Sequence, residues 1–119
     1  MTAYPKHVIA FDDAATTPTE TQIDDPAAVD TPYTSKSWRH FTNPTKGAIA
    51  GVWEAESHLE RCQCDYDELC HILEGRVRLT DADGVCQEFG PGDSFVIAAG
   101  FSGTWENLTP VRKVFFVLS

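Results

Sequence analysis

An all-β fold, built as a small closed barrel or double sheet, is what this chain predicts, and three observations carry the prediction. Short apolar runs alternate with polar residues, the period of a strand with one buried face. Gly, Asp, Asn and Pro break those runs at regular intervals, as tight turns require. No stretch keeps the period of an amphipathic helix. The pattern is densest from Glu68 to Asn107, E-L-C-H-I-L-E-G-R-V-R-L-T-D-A-D-G and then F-G-P-G-D-S-F-V-I-A-A-G-F-S-G-T-W-E-N.

In order, the pattern changes from Ser35: S-W-R-H-F-T alternates large and polar side chains, N-P-T-K-G is a turn, and A-I-A-G-V-W-E-A-E is the next strand. S-H-L-E-R-C-Q-C-D carries a further strand, and Asp65-Tyr66-Asp67 bends the chain into E-L-C-H-I-L-E-G and R-V-R-L-T. Asp83-Gly84 marks a hairpin of the primed-turn type, because Gly supplies the positive φ. Gly90-Pro91-Gly92-Asp93 turns into S-F-V-I-A, the run from Ala99 to Gly103 turns into T-W-E-N, and V-R-K-V-F-F-V-L is the last strand. About eight strands in one small unit must close or stack to protect their edges. Residues 1–32 hold six acids against one Lys and show no sustained period, so an irregular N-terminal arm is expected there. Within it, Val8 to Phe11 is a candidate edge strand on the barrel or on a partner subunit. The barrel is expected over 33–119.

With 119 residues the chain suits one domain, and its 42% hydrophobic share suits a packed core. A formal net charge of −9 argues against a nucleic-acid partner, which needs clustered Lys and Arg. No run approaches the roughly 18 to 20 apolar residues of a spanning helix, so no membrane partner is expected. The start M-T-A-Y-P-K-H lacks the apolar core of a signal peptide, and a cytoplasmic location is expected. Cys62, Cys64, Cys70 and Cys86 then read as buried free thiols.

Several of these segments form a recognisable frame. The chain resembles a cupin, a family marked by H-x-H-x3,4-E-x6-G and G-x5-P-x-G-x2-H-x3-N. Glu68 to Gly75 fits the E-x6-G part, which places Cys62 and Cys64 at the two histidines. Gly92 and Gly100 fit the second motif with Ala98 at the proline, Gly103 at the third histidine and Asn107 at its end. The phrases G-V-W-E, E-L-C-H-I-L-E-G, G-D-S-F-V-I-A-A-G-F-S-G-T-W-E and V-R-K-V-F-F-V resemble small single-domain, RmlC-like cupins similar to the cupin halves of ureidoglycine aminohydrolase and to the ethanolamine-utilisation Q protein. The resemblance implies a double-stranded β-helix, the cupin jelly-roll barrel, and a homodimer. It also implies that the three metal histidines are absent here.

Strand parity supplies an independent reading of the lumen. If Glu68 points inward, so do Cys70 and Ile72, and His71 points out. Cys62 and Cys64 share one face; Gly103, Trp105 and Asn107 share another. The candidate ligand-binding set is therefore Trp53, Cys62, Cys64, Glu68, Cys70, Trp105 and Asn107. Glu68 is the candidate acid/base or ligand anchor, because an inward carboxylate is costly unless paired, hydrogen-bonded or protonated. A purely structural role with Lys113, Arg76 or a backbone amide as its partner stays open. Trp53 and Trp105 offer a stacking platform or serve as core. Gly103 beside Trp105 suggests that the indole takes the volume of the missing imidazole. His71 reads as a packing or interface residue, and His7 and His40 as surface residues.

No cofactor is expected. The alternative is a soft divalent metal held by Cys62, Cys64, Glu68 and His58, since thiolates favour Zn²⁺; a reactive thiol pair is a further possibility. The expected function is binding of a small organic metabolite in the barrel lumen without the usual three-histidine metal site. A hydrolase, lyase or isomerase acting on a small nitrogen-containing metabolite is the alternative from the enzyme class. A structural or assembly subunit is the third.

Overall fold

Strands form where the alternation is strictest. In the computed structural model, which describes residues 5–119, ten strands follow one another: β1 (Thr19–Ile23), β2 (Tyr33–Asn43), β3 (Ala48–Ala55), β4 (His58–Gln63), β5 (Asp67–Glu74), β6 (Val77–Asp81), β7 (Cys86–Phe89), β8 (Ser94–Ile97), β9 (Ser102–Asn107) and β10 (Val111–Leu118). All pairings are antiparallel. They make a six-stranded sheet in the order β1-β2-β3-β10-β5-β8 and a four-stranded sheet in the order β4-β9-β6-β7. The fold is all-β, the double sheet of a jelly roll. No helix among the described residues is long and apolar enough to cross a membrane.

The inner faces meet in a core of Cys70, Ile72, Val77, Trp105 and Val111, with Phe89 and Phe95 packed against it. Cys70, Ile72 and Val77 are wholly buried, so the parity that sends Glu68, Cys70 and Ile72 inward holds. A second cluster, Val29, Tyr33 and Ala55, sits where the chain enters β2, with Ile23, Ala28 and Trp53 against it. The segment before β2 is fixed by Arg61, which donates to the carbonyls of Ala27 and Pro26 and to Asp30.

Four expectations are corrected. Val8 to Phe11 forms no strand on this barrel; its apolar residues do not alternate, and the strand that extends the sheet is the polar T-E-T-Q-I of β1, suited to an edge. The Asp83-Gly84 hairpin is a three-residue loop, not a primed pair. Gly84 N–H donates to the Asp81 carbonyl, Asp81 N–H to that of Val85, and Gly84 takes φ +81°. His40 is no surface residue: its ring lies between Thr16 Oγ1 at 2.9 Å and Asp13 Oδ1 at 2.8 Å, and its side chain is 1% exposed. Asp13 also pairs with Arg112, so these contacts tie the arm to the six-stranded sheet. Cys86 is exposed, in contrast to Cys64 and Cys70.

Candidate functional site

Alternation that runs past the end of β4 builds one wall of a cavity of about 330 Å³ between the sheets. His58, Glu60, Cys62, Cys64, Tyr66 and Glu68, every second residue, all face it. Trp53 of β3, Trp105 of β9 and Lys113 of β10 close it from the other strands. Five of the expected ligand residues thus line this cavity, Trp53, Cys62, Cys64, Glu68 and Trp105, while Cys70 lies beneath Glu68 in the core and does not. Asn107 stands behind the wall. Its Oδ1 accepts from Trp105 Nε1 at 2.7 Å, and its Nδ2 donates to the carbonyls of Ala55 and Glu56. It orients the indole.

Lys113 is the residue that sequence reasoning placed only as a possible partner. Its Nζ lies 2.7 Å from Glu68 Oε2 and 3.6 Å from Cys70 Sγ, and Cys70 Sγ–H points at the same Oε2 from 3.2 Å. The ammonium also sits 4.2 Å from the ring centre of Trp105 and 4.9 Å from that of Trp53, within cation–π range. The two indoles stand edge to face, 84° apart. Burial pushes the Glu68 carboxyl up, but the adjacent ammonium and the bonds from Lys113 and Cys70 outweigh it, and the group stays below the usual carboxylate range. Burial pulls Lys113 down, yet Cys70 and Glu68 hold it above its ordinary value. The pair is ionised.

At the other end of the wall, Tyr33 donates to Glu60 Oε2 and stacks on His58, ring centres 3.4 Å apart. Burial raises the Tyr33 phenol, and Glu60 adds to the effect. His58 Nδ1 lies 2.8 Å from the Glu56 carbonyl, an oxygen that only accepts, so Nδ1 carries the proton. Its Nε2 is buried and has no partner among the described residues. Burial lowers His58 below its ordinary value, more than the neighbouring Glu60 and Glu56 raise it. A signal for this cluster was available: His58, Glu60 and Cys62 have one parity. His71, on the opposite parity, bonds Ser94 Oγ at 2.7 Å outside the lumen.

The donor set suits a divalent metal poorly. Burial pushes the thiols of Cys62 and Cys70 up to about 12 and raises that of Cys64, so a metal there would have to displace protons against burial. Of the two lumen carboxylates, Glu68 already faces an ammonium and Glu60 accepts from Tyr33. Gly103 could not carry a third ligand, since a Cβ there would collide with the carbonyl oxygen of Thr80 on the next strand. That close approach, and not the volume of Trp105, is what requires Gly at this position. A wider, open cleft of about 720 Å³ lies between the free edges β7 and β8, lined by Phe89, Phe95 and Phe101 with Asp81 and Asp83. It has no buried ion pair, so the chemistry concentrates in the lumen.

A double antiparallel sheet folded around a central lumen, with Glu68 and Asn107 in the motif positions, defines a cupin. Residues 42–115 match the EutQ-like cupin domain, and the chain belongs to that family. No curated protein matches its sequence. Among solved structures it is similar to a protein of unknown function from Pseudomonas syringae pv. tomato, with TM-score 0.76 and 24% identity over 86% of this chain and 43% of that one. The EutQ protein of Clostridium difficile superposes with TM-score 0.64 and 16% identity over 72% of this chain and 63% of its own. The polyketide cyclase RemF of Streptomyces resistomycificus does so with TM-score 0.66 and 16% identity over 97% and 80%. The chain therefore spans less than two thirds of the first two, and at these identities the likeness shows the fold alone.

Proposed function

We propose that this cupin binds a small organic metabolite in its lumen, with the Lys113 ammonium supplying the positive charge of the site beside Glu68. The observation that carries the reading is the buried Lys113–Glu68 pair set against Trp53 and Trp105 at one cavity. A buried ion pair is a poor source of stability compared with apolar packing of equal volume. Facing a cavity at the low end of the ligand-pocket range, it serves recognition instead. Glu68, being ionised, acts as an acceptor and anchor and not as a general acid.

A thermal-shift screen of small polar metabolites, run with and without chelator, tests this. A lumen ligand raises the melting temperature with its concentration, and the shift is expected to survive chelation. A shift that requires a stoichiometric divalent metal overturns the metal-free reading; the absence of any stabilising compound overturns binding.

A second reading, a hydrolase, lyase or isomerase on a small nitrogen-containing metabolite, rests on His58. Its unpartnered, unprotonated Nε2 has the form of a general base. Turnover that survives His58→Gln would remove this reading. We also propose that two copies pair through the outer face of the six-stranded sheet, where Phe116, Leu69 and Val96 stand in one cross-strand row and are 41%, 49% and 61% exposed.

A further inference from the structure

We infer that the Lys113–Glu68 pair is a two-point reader for a neutral, flat molecule that carries a carbonyl oxygen beside an N–H or O–H donor. The inference rests on the lumen being a ligand site and names what that site selects.

An ammonium has three N–H donors. One is spent on Glu68 Oε2 at 2.7 Å and a second is directed at Cys70 Sγ at 3.6 Å. Among the described residues no oxygen, nitrogen or further sulfur acceptor takes the third, and the remaining neighbours of the ammonium are the indole rings at 4.2 and 4.9 Å, a weaker attraction than a hydrogen bond to a ligand carbonyl. On the other side of the pair, Lys113 and Cys70 both bond Oε2, and no donor among the described residues reaches Oε1. The pair therefore leaves one donor and one acceptor side by side, fixed by their mutual bond. Their complement is an acceptor next to a donor, which is the edge of a carboxamide, a lactam or a hydroxy-carbonyl compound.

Charge balance selects neutrality. A carboxylate ligand would compete with Glu68 for the ammonium, and an ammonium ligand would compete with Lys113 for the carboxylate. Either leaves a mostly buried charge short of a partner, since the two side chains are only 9% and 13% exposed. Flatness follows from the planar edge that the pair complements, set in a lumen where the indoles of Trp53 and Trp105 meet at 84°. The Trp105 N–H is already committed to Asn107, so that wall adds no polar contact. Selectivity falls on the pair.

Isothermal titration of the full chain with four probes tests the inference: benzamide, its donor-free analogue N,N-dimethylbenzamide, acetophenone and benzoate. Benzamide is expected to bind about tenfold or more tightly than each of the others, the scale of one or two charge-assisted hydrogen bonds. Lys113→Met combined with Glu68→Gln is expected to erase the preference while leaving weak binding of all the neutral probes. Should that double variant fail to fold, the Nζ resonance of Lys113 in the wild-type chain decides, and it is expected to shift with benzamide but not with N,N-dimethylbenzamide. Equal affinity for the three neutral probes overturns the inference and leaves lumen binding standing, as does benzoate binding tightest. Failure of all four to bind overturns both.

Discussion

Lys113 and Glu68 are hydrogen-bonded 2.7 Å apart, yet neither faces the other across the sheet. Lys113 is opposite Ile72, Glu68 is opposite Val117, and Phe115 with Cys70 stands between them. The lysine stem thus runs along the lumen beside the indoles before its charge is met. Its methylenes serve as core while its head serves as ion.

Glu68→Gln should cost about 3 kcal/mol, because it leaves a buried ammonium without its counter-charge. Adding Lys113→Met to that variant should restore part of the loss, since the orphan charge is gone. Urea midpoints of the two singles and the double give the coupling energy. A double variant as unstable as the sum of the singles would show the pair to be energetically uncoupled.

Acid should destabilise the protein in two steps. His58 is held below its ordinary value of 6.5, so the unfolded chain takes up its proton first, and stability falls as the pH drops from 6.5 toward the folded value. Glu68 is held below 4.5, so its contribution is complete above that pH and is lost on further descent through the folded value. Urea midpoints from pH 8 to pH 3 should show both slopes, with the upper one missing in His58→Gln and the lower one reduced in Glu68→Gln.

Thiol chemistry should divide the four cysteines. Cys86 is exposed on the β7 edge, whereas Cys64 and Cys70 are buried and Cys62 is half-buried with its thiol raised to about 12. A disulfide reagent at pH 8 is expected to modify one thiol quickly in the native protein and the rest only on unfolding. Cys86→Ser should abolish the fast phase.

Restoring a histidine to the third motif position should fail. Gly103→His, and already Gly103→Ala, drives a Cβ into the Thr80 carbonyl oxygen; a loss of about 2 to 3 kcal/mol is expected for Ala, the range of an overpacked site. Thermal unfolding checks it.

Pairing through the outer row can be read by light scattering coupled to size exclusion. The wild-type chain is expected at twice its monomer mass, and Leu69→Lys, at the centre of the row between Phe116 and Val96, as a monomer with an intact fold.

Much of the fold was legible because an inward residue sits at every second place, and Glu68, Cys70 and Ile72 obey this without exception. Lys113 obeys it too: Val111, Lys113 and Phe115 share one buried face of β10. What hid it was its chemistry, since a lysine within V-R-K-V reads as a solvated charge until its partner is known. Tyr33 was hidden differently. It enters the lumen at the first residue of β2, where a structureless segment gives way to strand and no period is yet established. His40 was misread for a related reason: the bulge between Arg39 and Phe41 shifts the β2 register, and the Asp13 and Thr16 that bury its ring lie more than twenty residues earlier.

The stretch from Asp24 to Pro32 has no regular structure of its own, yet Val29 within it is 3% exposed and packs beside Tyr33, one wall residue of the lumen. Arg61 holds this stretch from β4, and its neighbours Glu60 and Cys62 on the same strand turn the other way, into the cavity. The contacts that hold the segment and the side chains that line the cavity thus come from consecutive residues of one strand. Substitutions at Val29 therefore reach Tyr33, and through it the cavity wall, while every rung of the two sheets keeps its register. The segment ahead of Tyr33 is free to vary without breaking a strand pairing, because no residue from 24 to 32 takes part in one.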